Sequence, residues 1–211
     1  MPVFFRNKGP KVLFVHIPKT GGTYLSDLFI ANGYERYFWH GRPASIGCFV
    51  SPQHLHREVY ETIFDVAAFD WTFVTVRHPL DRLLSEFRSR NSKNGVAFGD
   101  WMTRVERRFH IDRSFQDNHF RPQVDFLTDG LEILRNEVDY DQSWAEGVSK
   151  SRGLGFETFE VTRRRNTRVT STYALTTADV DRAADFCRQA YSADFERLDY
   201  QLEDAQVFAK L

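Results

Sequence analysis

Hydrophobic positions change period several times along the chain, and the changes divide it into strands and helices. Val12 to Val15 is an uninterrupted run of β-branched and aromatic residues, and Tyr24, Leu25, Leu28 and Phe29 then recur at helical spacing. A polar turn holding Gly21 and Gly22 separates the two. The pattern predicts a strand, a tight loop and a helix that stops at Asn32-Gly33. Trp71 to Arg77 is the next clear strand, and its lack of strict alternation suits a strand buried in a parallel sheet. His78-Pro79 follows, with proline well placed in the first turn of a helix whose apolar stripe is Leu80, Leu83, Leu84 and Phe87. At about 100° per residue, Ser85 falls off that stripe beside Asp81 and Arg88, open to a ligand or to water.

Other segments carry weaker signals. Tyr34 to Trp39 and Cys48 to Val50 read as short strands with a loop at Gly41 to Gly47 between them, and Asn91 to Gly99 reads as a polar loop. A helix is expected from Asp100 to Arg108, irregular chain around Pro122, a last sheet strand at Ile133 to Arg135, and a short helix from Ser143 to Lys150 around Trp144 and Val148. The final helix is expected to start on Thr177 as N-cap, with Asp179 and Asp181 in its first turn and Val180, Ala184, Cys187 and Tyr191 on one face. Strands alternating with helices place the chain in the α/β class, with a central, mostly parallel sheet flanked by helices.

Composition narrows the function rather than the fold. A chain of 211 residues can bury one substantial core, so residues 1–211 are expected to form a single domain. Net charge is −1, so no global field draws the chain to nucleic acid or to an anionic membrane, and any anion must be held by local charge. Cys48 and Cys187 are too far apart in sequence to suggest a disulfide framework or a zinc site, and both are expected to be small buried residues. The apolar run in MPVFFRNKGPK is too short for a signal peptide and no later segment approaches a membrane span. The expectation is a cytoplasmic protein.

Candidate chemistry starts at the first loop. A strand-to-helix junction aims backbone N–H groups and the positive end of the helix dipole at the turn, which suits an anion. Lys19 adds a full charge, Gly21 and Gly22 permit close approach, and Thr20 and Thr23 offer hydroxyls. The Walker A order is absent, because here the lysine precedes the glycines. Arg77 ends its strand on the side where open α/β sheets bind ligands. His54 and His56 would share a face in a strand or extended turn; no nearby cysteine or acidic cluster completes a metal site around them, and none is expected. Arg104, Arg107 and Arg108 read as a solvated face, while TRRRNTR at Thr162 to Arg168 is the one dense basic tract.

Taken together, these stretches resemble sulfotransferases that use 3′-phosphoadenosine 5′-phosphosulfate, PAPS, in the carbohydrate branch that includes heparan sulfate 2-O-sulfotransferases. The family's 5′-phosphosulfate loop is similar to HIPKTGGT, His16 to Thr23, and its 3′-phosphate motif resembles Arg77 with Ser85 eight residues later inside RHPLDRLLSEF. The tail RRRNTR…DFERLDY is also similar to the family's C-terminal region. The resemblance implies a P-loop-like three-layer fold and PAPS as co-substrate without a metal. It implies donor contacts from His16, Lys19, Thr20, Gly21, Gly22, Thr23, Tyr24, Arg77 and Ser85, with an arginine among Arg163 to Arg165, here Arg164, closing over the nucleotide. Lys19 would neutralise the leaving phosphate. A His-x-His pair lies between the two motifs in 2-O-sulfotransferases, and His54 and His56 occupy that interval, His54 as base. DNHFRPQ resembles a segment near the acceptor cleft, which makes His119 a second candidate base and assigns His119 and Arg121 to the acceptor.

Two departures bear on the acceptor. His16 stands where 2-O-sulfotransferases often carry arginine, and the chain is shorter than those enzymes. A small carbohydrate or another hydroxylated metabolite is therefore expected in place of a glycosaminoglycan, with neither nucleic acid nor membrane as partner and the oligomeric state open. Two other readings compete: a kinase-like phosphotransferase, which lacks its Walker A loop and magnesium-binding acidic motif here, and a non-catalytic anion- or nucleic-acid-binding module built on TRRRNTR.

Overall fold

A computed structural model describes residues 1–39, 48–138, 140–159 and 174–208. They fall into two compact units: Met1–Val76 with the described part of Phe126–Arg164, and Arg77–Asp125 with the described part of Arg165–Leu211. The expected loop at Gly41 to Gly47 and the basic tract at Thr162 to Arg168, with Arg164, lie outside the described residues.

The first unit is built on a sheet of order β3-β1-β2-β4-β5, with β1 Val3–Phe5, β2 Val12–Val15, β3 Glu35–Tyr37, β4 Trp71–Val76 and β5 Glu132–Arg135. β2, β4 and β5 run parallel, and β1 is antiparallel to both β2 and β3. The apolar run of β2 is buried at every position, as expected of a strand covered on both faces. Phe14 pairs with Phe73 in register, and their rings stack at 4.6 Å. Phe4, Phe29 and Trp71 extend this aromatic core, against which α1 (Gly22–Ala31) lays Leu25 and Leu28. α1 ends at the expected place: Asn32 is its C-cap, and Gly33 takes φ +76°. α2 (Arg57–Ile63) and α6 (Gln142–Arg152) complete this unit, α6 holding Ala145 in the core.

Cys48 to Val50 forms no strand; Phe49 is 95% exposed, and Cys48 is exposed rather than buried. A triplet of apolar residues has no stripe of its own, so nothing local could tell a strand from a surface turn. β1 gave too short a pattern to be read, yet it buries Phe4 and exposes Phe5 in strand alternation.

The second unit is helical: α3 (Pro79–Asn94), α4 (Phe98–Phe109), α5 (Phe115–Asn118), α7 (Thr177–Ala190) and α8 (Ser192–Arg197). Leu80, Leu83, Leu84 and Phe87 are buried as the stripe requires, together with Val180, Ala184, Cys187 and Tyr191 of the last helices and their junction. α3 continues four residues beyond the expected boundary, because no breaker precedes Gly95, which takes φ +59°. α7 is capped by Thr176, not Thr177: Thr176 Oγ1 accepts from the Asp179 N–H while Asp179 accepts from the Thr176 N–H, a capping box that needs the acid three residues on. Two buried carboxylates tie distant segments together. Asp81 accepts the N–H groups of Gln206 and Val207, and Asp194 those of Gln123 and Val124. Burial pushes the Asp194 carboxyl up, against the pull of the Gln123 hydrogen bond and the Arg82 charge.

Candidate active site

β2 ends at Val15 and hands the chain to the loop His16–Gly21, after which α1 begins at Gly22. Two residues there adopt left-handed backbone, Lys19 at φ +70° and Gly21 at φ +86°. For lysine that conformation costs about 1 kcal/mol or more, so the surroundings must hold it. Thr20, fully buried, supplies the anchor: its hydroxyl donates to Ile17 O at 2.8 Å and shares a 2.7 Å hydrogen bond with Thr75 Oγ1 of β4. The loop is thereby stapled to the sheet on one side, while Lys19 is half-buried and Gly21 and Thr23 are exposed. No acidic residue lies in the first turn of α1 to compete for its positive end. Tyr24 is half-buried and packs against the sheet core.

Gly22 is required by space. A Cβ there would lie 2.4 Å and 2.6 Å from two His16 ring atoms and 2.8 Å from Phe14. The His16 ring is itself fixed, stacked between Phe14 (5.3 Å) and Trp39 (5.4 Å, 4° between planes). Arg36 covers the Trp39 ring at 4.0 Å and donates to Ser26 Oγ. The His54 ring lies 5.1 Å from that of His16.

The two histidines of the His-x-His pair have different partners. His54 ends a 3₁₀ turn at Pro52–His54, is 5% exposed, and has Nδ1 3.3 Å from Ser51 Oγ. His56 is the N-cap of α2 and has Nε2 3.7 Å from the Glu58 carboxylate. Of the pair, His54 is the one brought to the loop.

In the second unit, Arg77 follows directly on β4. Its backbone is clamped by the Gln123 carboxamide, which accepts from the Arg77 N–H at 2.9 Å and donates to the Arg77 carbonyl at 2.8 Å. Ser85 is half-buried on α3. Its neighbour Glu86 is 2% exposed, and the Glu86 carboxylate bonds His119 Nδ1 at 2.8 Å and the Arg90 guanidinium. Arg82 donates to the carbonyls of His119 and Arg121, so His119 is held by both its ring and its backbone. Arg121 is buried, its guanidinium engaged by Asn118 and Asp125. The segment before it, Gln116 to Asn118, carries three successive positive φ angles of +51°, +62° and +62°. The Glu86 carboxylate fixes the orientation of the His119 ring through Nδ1.

Thr75, Trp39 and Gln123 carry no sequence signal of their own. Glu86 has one local cue, since it falls inside the RHPLDRLLSEF stretch.

The chain matches the model of the Sulfotransferase family over residues 2–201 and belongs to that family, whose members transfer sulfate groups. Comparisons with curated proteins and with solved structures gave no match. Among the described residues, no helix is long and apolar enough to cross a membrane.

Proposed function

We propose that the donor is PAPS and that its 5′-phosphosulfate occupies the loop His16–Thr23. The observation that supports this most is the loop itself: a lysine held left-handed beside the N-terminus of α1, with Thr20 stapled to Thr75 and Gly22 kept bare by His16. The donor's 3′-phosphate is assigned to Arg77 and Ser85 on their motif spacing, and Arg164 to the nucleotide on sequence alone. The acceptor is a hydroxyl of a carbohydrate or another small metabolite. One catalytic domain of P-loop-like, three-layer form spanning residues 1–211 and a cytoplasmic setting complete the proposal.

In the reaction the acceptor O–H gives its proton to His54 as its oxygen forms a bond to sulfur. The bond from sulfur to the bridging phosphate oxygen breaks, and its electron pair leaves with the 5′-phosphate. Lys19 neutralises the charge that grows on that oxygen, an effect worth about 10²–10³ in rate for a single well-placed donor. Positioning supplies most of the rest. His16, 5.1 Å from His54, packs the base in place, and His56 assists at the acceptor.

A second assignment of the base has its own support. His119 has its Nδ1 fixed by the buried Glu86 carboxylate, the arrangement expected of an oriented proton acceptor. The deciding experiment measures binding of 3′-phosphoadenosine 5′-phosphate (PAP) against AMP and ATP, then turnover of His54→Ala and His119→Ala. A preference for the 3′-phosphorylated nucleotide is expected; its absence overturns the donor assignment. His54→Ala should lose roughly 10²–10⁴ in turnover with nucleotide binding kept. The same loss in His119→Ala alone moves the base to His119.

A further inference from the structure

β5 ends at Arg135, and Asn136 continues its line by one residue: the Asn136 N–H donates to Val76 O at 2.8 Å, as a ladder bond would. The sheet therefore fixes where the Asn136 side chain begins, at the carboxyl end of β5, the same end at which β2 delivers the loop. The carboxamide lies over Gly21. A Cβ on Gly21 would come within 2.3 Å of Asn136 Nδ2, so the amide nitrogen rests against the bare backbone of the loop. Among the described residues this carboxamide makes no hydrogen bond, although it carries two donors and an acceptor and is half-buried. An amide with donors unspent, in contact with an anion loop, is suited to an anionic oxygen. A carboxylate in its place would repel one.

We propose, resting on the reading of the loop as a phosphosulfate site, that Asn136 is a further donor-binding residue whose Nδ2–H hydrogen-bonds an oxygen of the 5′-phosphosulfate. Its neutrality leaves the charge balance to Lys19, and its placement over Gly21 gives the group a contact from the β5 side of the loop.

The test compares Asn136→Asp and Asn136→Ala with wild type, by calorimetric titration with PAPS, with PAP and with adenosine 3′-phosphate, which lacks any 5′ group. Loss of one hydrogen bond to a charged group weakens binding about tenfold or more, the expectation for Asn136→Ala with PAPS and PAP. Asn136→Asp should weaken both further, because it adds repulsion at nearly unchanged shape. Neither variant should alter the affinity for adenosine 3′-phosphate, and both should melt with wild type, since the side chain bonds no described part of the protein. If wild type binds PAP more tightly than adenosine 3′-phosphate while Asn136→Asp binds PAP as well as wild type does, the role of Asn136 is overturned and the reading of the loop stands. An equal loss for adenosine 3′-phosphate would also overturn it, in favour of a structural effect on the loop. If wild type binds PAP no more tightly than adenosine 3′-phosphate, the reading of the loop fails and takes the inference with it.

Discussion

Gly22→Ala tests the packing that shapes the loop. The added methyl would sit 2.4 Å and 2.6 Å from His16 Cδ2 and Nε2 and 2.8 Å from Phe14 Cζ, far inside ordinary van der Waals contact. The ring cannot simply swing away, because Trp39 stacks on it at 5.4 Å, Phe14 lies at 5.3 Å, and His54 lies at 5.1 Å. Overpacking of this kind costs about 1–3 kcal/mol. Alanine in a helix regains up to about 1 kcal/mol over glycine, so the net loss is of the order of 1–2 kcal/mol. For a chain of this length that corresponds to a fall of about 2–8 °C in melting temperature. Circular dichroism melts of Gly22→Ala, His16→Ala and the double variant complete the cycle. In the His16→Ala background only the Phe14 contact remains and that ring gains space to shift, so adding Gly22→Ala should cost less than in wild type, a coupling of about 1 kcal/mol. A single variant that melts with wild type, or equal costs in both backgrounds, would refute the idea that His16 is what keeps position 22 bare.

Four further outcomes follow from the geometry. Thr20→Val removes the buried hydroxyl that bonds Ile17 O and Thr75, and should cost about 1–3 kcal/mol in denaturant unfolding; Thr75→Val, which leaves the Ile17 bond in place, should cost less, and the reverse order would contradict the staple. Asp81→Ala strips the acceptor from the Gln206 and Val207 amides, so residues 200–208 should become a site of early cleavage in limited proteolysis, whereas an unchanged digestion pattern would show that the carboxylate does not hold them. A thiol reagent should label exposed Cys48 in the native protein and buried Cys187 only in denaturant, and rapid labelling of both would contradict the burial of α7. Burial also pushes the Cys187 thiol and the Tyr191 phenol up, so the folded chain keeps protons that the unfolded chain releases above about pH 8.5 and pH 10. The stability tied to these neutral groups is complete below those values and falls as pH rises toward their folded pKa, by about 1.4 kcal/mol per pH unit for each group ionised in the unfolded chain. Urea midpoints that stay level from pH 8 to pH 11 would count against it.

Local pattern was enough for the strand, loop and helix at residues 12–31, the buried strand at 71–76 and the stripe of α3. Each is a local pattern, in which neighbours in one element share one environment and the period reports it. Lys19, Gly21, Arg77 and Ser85 could be put forward as candidates for the same reason, as motifs contained within such junctions. Which side chains meet depends on the folded chain. Thr75 reaches Thr20 because β4 pairs with β2 in register; Glu86 reaches His119 from a helix 33 residues earlier; Gln123 clamps Arg77 across 46 residues. Such pairings leave no periodic trace, because a single polar residue on a helix or in a loop looks solvated until the chain brings its partner. His54 and His56 illustrate the limit from the other side: their spacing would give a shared face only in a strand or extended turn, and the structure instead ends a 3₁₀ turn at His54 and begins a helix after His56. Asn136 belongs wholly to the second category, an amide made meaningful only by the strand register that sets it on Gly21.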